Sequence, residues 1–137
     1  MLKYLGTGEV FMKKLIMLFA LLMLSPAFAD EQLPLTTPQN VSFETCTKMF
    51  AINKEKLFYL TLGAVSANKF TVDEIQTANG YVIFTAANNK YLATVASIDS
   101  LNSILKITPC NDIYYFQPGI VVNMFKYVDL NLNTEVK

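Results

Sequence analysis

Residues 70–86 read FTVDEIQTANGYVIFTA. Two runs rich in β-branched and aromatic residues flank Asn79-Gly80, a pair that tolerates positive φ and gives the strongest short-range hairpin signal. The spacing predicts a strand over 70–77, a tight turn, and a return strand over 81–86. In the return strand Tyr81, Val82, Ile83 and Phe84 are apolar on both sides. A strand of that kind is expected to be covered on two faces, or on one face plus a ligand or partner.

Downstream, Asn88-Asn89 marks a second turn before a strand over 91–98. Residues 99–103 turn again, and 104–108 form a fourth strand ended by Pro109. Upstream, Leu57, Leu60, Ala64 and Ala67 recur at helical spacing with Phe58, Thr61 and Val65 beside them. Asn53 is placed to cap this helix and Asn68 to stop it in a left-handed conformation, so an amphipathic helix is expected over 54–67.

Residues 41–52 admit two readings. Val41, Phe43, Thr45 and Thr47 could line one side of a strand, whereas Phe43, Cys46 and Phe50 fit a helical stripe. A strand or irregular lead-in is favoured. Past the Tyr114-Tyr115-Phe116 cluster, Pro118 suits a first helical turn, and Ile120, Val121, Met124, Phe125 and Val128 supply a stripe to about Leu130.

The expected fold is therefore α+β: an N-terminal helix packed on a four-stranded antiparallel meander, with a C-terminal helix, preceded by a cleaved signal peptide. The expected organisation is a signal peptide over 1–29, a flexible linker over 30–40, one domain over 41–130 and a frayed tail over 131–137. The order of elements resembles small envelope accessory domains in which a helix lies across a curved sheet. That similarity is one of architecture and implies no activity.

The signal peptide is read from Lys13 and Lys14, followed by an unbroken apolar run from Leu15 to Leu24. A membrane-spanning helix needs about 20 apolar residues. A secretory signal needs only ~7–15 after a basic start. Pro26 interrupts the run, Ala27 and Ala29 offer small side chains to a peptidase, and cleavage is expected after Ala29, leaving no integral membrane segment. The other reading is an uncleaved anchor. Glu9, Gly6 and Gly8 are odd in such a leader, and translation is expected to start at Met12, with a bacterial source implied. The Asn40-Val41-Ser42 sequon is discounted on that ground.

Composition narrows the chemistry. The chain of 137 residues has no histidine and no tryptophan, and all eleven of its Lys+Arg residues are lysine. Without imidazole there is no Ser-His or Cys-His nucleophile pair and no general base of ordinary kind near neutral pH. The missing guanidinium groups and the lack of a lysine cluster speak against nucleic acid as a partner. The segment after Ala29 holds eight of the eleven lysines and ten of the eleven acids, a slight negative excess. No cofactor is expected.

Cys46 and Cys110 are the two cysteines. In an exported protein an even pair reads as a disulfide, which would stabilise the domain by roughly 4 kcal/mol through loop closure. The alternative is a pair of reduced thiols that pack as small apolar groups. No histidine is present to complete a zinc site with them.

Asp73 and Glu74 are adjacent acids inside the domain. Neighbours on a strand point to opposite faces, so a solvated edge is expected rather than an acid–base pair. Tyr81, Phe84, Tyr91, Tyr114, Tyr115 and Phe116 are the residues expected to form an interaction or ligand surface. The alternative is an ordinary core whose phenols reach water.

These features predict an exported, non-enzymatic domain, periplasmic or extracellular, acting as a protein-interaction or assembly module of the bacterial cell envelope. The competing expectation is a carrier that holds an apolar small molecule between helix 54–67 and the sheet.

Overall fold

The computed structural model describes residues 33–133, and the fold is that of the unit beginning at Leu35. The expected signal peptide, and with it the cleavage point, lies outside the described residues. So do the first residues of the expected linker and the last four of the tail.

Helix α1 spans Lys54–Ala67. Asn53 caps it by accepting a hydrogen bond from the Lys56 amide at 2.8 Å, which satisfies one of the donors a helix start leaves open. Its end departs from the expectation at Asn68, which has φ −89°. The left-handed residue is Lys69, at φ 61°. The Phe70 amide reaches the Val65 carbonyl at 3.0 Å and the Lys69 amide reaches Ser66 at 2.9 Å. That bond pair is a Schellman cap, in which the residue after the C-cap takes the left-handed turn.

The chain then reverses beside the helix into β3, Thr71–Gln76. β4 spans Tyr81–Ala86, β5 Asn89–Asp99 and β6 Asn102–Pro109. The sheet has five strands, not the expected four, because the ambiguous lead-in supplies one. A short 3-10 turn at Phe43–Cys46 leads into β2, Thr47–Phe50, which pairs antiparallel with β6 from Thr47↔Lys106 to Phe50↔Ser103. The order is β2-β6-β5-β4-β3, and every neighbouring pair is antiparallel. A lone run of four residues carries too little periodicity to announce itself, and pairing with β6 decides its conformation.

A second ladder ties down the segment read as a linker. β1, Gln39–Asn40, pairs with β7, Tyr115–Phe116. The Gly119 amide donates to the Leu35 carbonyl at 2.9 Å, meeting an open donor at the start of helix α2, Gly119–Leu130. The last residues of the 30–40 stretch are thus fixed by backbone bonds, which their composition does not disclose.

Core packing follows the pleat. Val82, Phe84 and Ala86 on β4, Tyr91, Ala93 and Val95 on β5, and Leu105 and Ile107 on β6 are buried. They meet Leu57, Ala64 and Val65 of α1, also buried. Each such Val, Leu or Ile side chain contributes about 1.5–3 kcal/mol on leaving water. α2 packs against α1, and Gly63 permits the approach, since a Cβ there would lie 2.7 Å from the Tyr127 hydroxyl. Phe125 of α2 meets Phe50 of β2 edge-on at 6.0 Å between ring centroids. Among the described residues the helices cover one sheet face. Tyr81, Ile83 and Thr85 on the other face are half-buried.

The expected disulfide is absent, and both cysteines are free thiols, Cys46 buried and Cys110 exposed. Cys110 directly follows β6, the strand that pairs with β2. Cys46 precedes β2 and its Sγ donates to the Ser42 carbonyl at 3.7 Å. The Cys110 amide donates to Lys90 of β5, and its thiol feels the charges of Lys90 and of Asp73 on the far edge strand. Continuing the register Thr47↔Lys106 by one step sets Cys46 beside Ile107, three residues before Cys110, and that offset of roughly 10 Å along the strand exceeds the Cα separation a disulfide spans. Burial pushes both thiols above their ordinary pKa, which keeps the nucleophilic thiolate scarce at neutral pH. Iodoacetamide is expected to label Cys110 in the native protein and Cys46 only after denaturation. Mass spectrometry reads the result, and failure to label either in denaturant without reductant would restore the bridge.

Candidate functional site

The six aromatics singled out in the sequence do not share one surface. Phe84, Tyr91 and Phe116 are buried and form a continuous stack. Phe84 lies between Phe70, at 5.5 Å, and Tyr91, at 5.6 Å, and Tyr91 meets Phe116 edge-on at 5.3 Å. Tyr114 extends the chain from Phe116 to Phe43 and is half-buried. Tyr115 is exposed. Tyr81 lies on the uncovered sheet face, two strands from Lys106 through the pairs Tyr81↔Thr94 and Thr94↔Lys106.

Two regions combine shape with unmet bonding capacity. The first is the edge at β3. A register shift between Val72 and Glu74 makes Asp73 an extra residue, and such a bulge interrupts the alternation of side chains. Both carboxylates consequently bond groups of the uncovered face. Asp73 accepts from the Thr85 hydroxyl at 2.6 Å and Glu74 from the Tyr81 hydroxyl at 2.7 Å. The expectation that these neighbours oppose one another across the strand fails for this reason. Thr85 and Tyr81 are four residues apart on β4, a spread of about 13 Å at the usual strand rise, so the acids do not converge.

On the helix side of the same strand, Val72 and Ile75 are 41% and 46% exposed, because they pair with the core positions Phe84 and Val82 beyond the cover of α1. Tyr59 of α1 is also exposed. At the hairpin end, Lys54, Phe58, Tyr59, Thr77 and Gly80 line a cleft of about 290 Å³. Hydrogen bonding to Glu74, with burial and the Glu74 charge adding to it, raises the Tyr81 phenol above its ordinary pKa.

The second region lies at the β4–β5 turn. Ala87 and Asn89 from that turn, Tyr91, the β7 pair Tyr115 and Phe116, and Gln117 with Pro38 surround a pocket of about 250 Å³. Sequence reading names the three aromatics but not Asn89, Gln117 or Pro38, which come from three distant parts of the chain. Nor does it single out Val72, Ile75 or Tyr59 as surface residues: on an unbroken strand Val72 and Ile75, three apart, would lie on opposite faces.

Among the described residues no group of three His, Cys, Asp or Glu could hold a metal. No described helix is long and apolar enough to cross a membrane. No protein-family model matches the chain, and no curated protein matches it in sequence.

Proposed function

We propose that this protein is a non-catalytic, exported module of the bacterial cell envelope that docks an extended segment of a protein partner along β3. The reading rests on the edge of β3, which is apolar on its helix side and acidic on the other. An added strand places alternate side chains on opposite faces. One set would meet Val72, Ile75 and Tyr59; the other would lie by Asp73 and Glu74. The one ion pair among the described residues joins Lys48 to Asp129, so neither β3 carboxylate is neutralised by a lysine. The fitting partner carries apolar residues at every second position and lysine or arginine between them. Export is supported by the basic-then-apolar leader and small residues before Asp30, and no longer by the cysteines.

A photo-crosslinking residue at Val72, introduced in cells, is expected to give one discrete adduct. Ile75→Asp in the same chain should reduce its yield about tenfold, the equivalent of ~1.4 kcal/mol. The same probe at exposed Lys126 of α2 should give none. Equal adducts from both positions, or an adduct indifferent to Ile75→Asp, would reject docking at β3.

A second reading, a carrier for an apolar small molecule between α1 and the sheet, draws on the ~290 Å³ cleft. That volume is at the low end for ligand pockets. Native mass spectrometry of protein purified from its own source is the direct check, and a mass equal to the bare chain excludes the carrier.

A further inference from the structure

The Tyr91 hydroxyl is buried without a hydrogen-bond partner, in a residue that is 0% exposed. A buried polar atom left in this state is destabilising, and such atoms are rare enough to demand a cause. Tyr91 lines the pocket at the β4–β5 turn, as do the Asn89 and Gln117 amides. Asn89 approaches the phenol without completing a bond: burial raises the Tyr91 pKa, and Asn89 is the group that pulls it back.

The lining selects its occupant by elimination. Among the described residues every side chain lining it is neutral, so a charged molecule would lose its hydration with no counter-charge to replace it. A hydrocarbon would leave the Tyr91 hydroxyl as orphaned as before. What remains is a neutral molecule with hydroxyl groups on its edge and an apolar face to set against the Tyr115 and Phe116 rings. We propose that this pocket binds a small, neutral, hydroxylated ring of about monosaccharide size, held by the Tyr91 hydroxyl and the Asn89 and Gln117 amides.

Asn89 and Tyr115 are both exposed, and either side chain can swing aside to admit a ligand to the hydroxyl. The turn beneath is firmly shaped: Ala87 and Asn88 both have positive φ, 50° and 65°, and Ala86 pairs with Asn89. This site is separate from the β3 edge and does not depend on it.

The experiment is a titration of the full-length mature protein, followed through the side-chain amide NMR signals of Asn89 and Gln117. Glucose, N-acetylglucosamine and inositol are the probes; acetate and toluene are the charged and apolar controls. At least one hydroxylated ring should shift both amides saturably at millimolar concentration, with the controls inert. Tyr91→Phe should weaken that binding at least tenfold while leaving the ligand-free melting temperature unchanged or higher, because it removes an unpaired buried group. Gln117→Leu should weaken binding without touching the core.

No response to any ring, an equal response to acetate or toluene, or unaltered binding by Tyr91→Phe would overturn the proposal. A lower melting temperature for ligand-free Tyr91→Phe would also overturn it, since the hydroxyl would then already be partnered.

Discussion

Phe84→Ala is expected to cost about 3–5 kcal/mol of folding stability, the range for truncating a large buried aromatic. The ring has no solvent exposure and is stacked on both sides, by Phe70 and Tyr91. Its removal therefore forfeits both the transfer term and the contacts of two neighbours that cannot collapse independently, since Tyr91 is also held by Phe116. For a domain near 100 residues that loss lowers the melting temperature by roughly 12–40 °C, and it consumes a large part of a typical 5–15 kcal/mol total. Tyr115→Ala is the contrasting variant. That side chain is 56% exposed, and surface changes usually stay within about 0.5 kcal/mol. Thermal unfolding by circular dichroism separates the two cases. A melting temperature for Phe84→Ala within a few degrees of wild type would mean the stack is not the centre of the core.

Gly80→Ala is the second large effect, expected at roughly 2–4 kcal/mol. Gly80 has φ +71°, a conformation that costs a side-chain-bearing residue about 1–2 kcal/mol. A Cβ there would also lie 2.8 Å from the Val95 carbonyl oxygen, and Val95 donates its own amide to the Gly80 carbonyl at 2.8 Å. The clash is with backbone, so relief must shift the β4–β5 ladder itself. Ala87→Gly supplies the opposite sign. Ala87 adopts φ 50°, so glycine there should stabilise by about 0.5–1 kcal/mol. Urea unfolding of the two variants tests the pair. A neutral Gly80→Ala, or a destabilising Ala87→Gly, would show that these turns do not hold the described conformation.

These two positions also show how far a dipeptide signal reaches. Asn79-Gly80 correctly marks a reversal, yet only Gly80 has positive φ, and the turn spans four residues, closed by the Gly80 amide on the Thr77 carbonyl. The turn with both central residues at positive φ is Ala87-Asn88, one position before the Asn88-Asn89 turn read from sequence. At the end of α1 the shift is also one residue, from Asn68 to Lys69. In each case residue preference locates the turn, and the hydrogen bonds of the flanking elements choose which residue inside it bears the strain.

The candidate sites were only partly legible. Tyr91, Tyr115 and Phe116 stand out as aromatics, but Asn89, Gln117 and Pro38 become a site only when β1 and β7 close against the β4–β5 turn. The exposed flank of β3 is similarly hidden: Val72 and Ile75 are three apart, a spacing that puts strand residues on opposite faces, until the bulge at Asp73 brings both to the helix side.

Local pattern determined a good deal by itself. Helical spacing over 54–67 and about 120–130, alternation along 81–86, and turn residues between them define two helices and antiparallel strands, because each depends only on neighbours a few positions away. Composition, in the same way, removes imidazole and guanidinium chemistry. Tertiary structure alone decided that 47–50 is a strand, that Asp73 is a bulge whose carboxylate joins that of Glu74 on one face, and that Cys46 and Cys110 stand too far apart to bond. Each of these is a pairing between segments remote in the chain, where the energy of contact and not the period of the sequence selects the conformation.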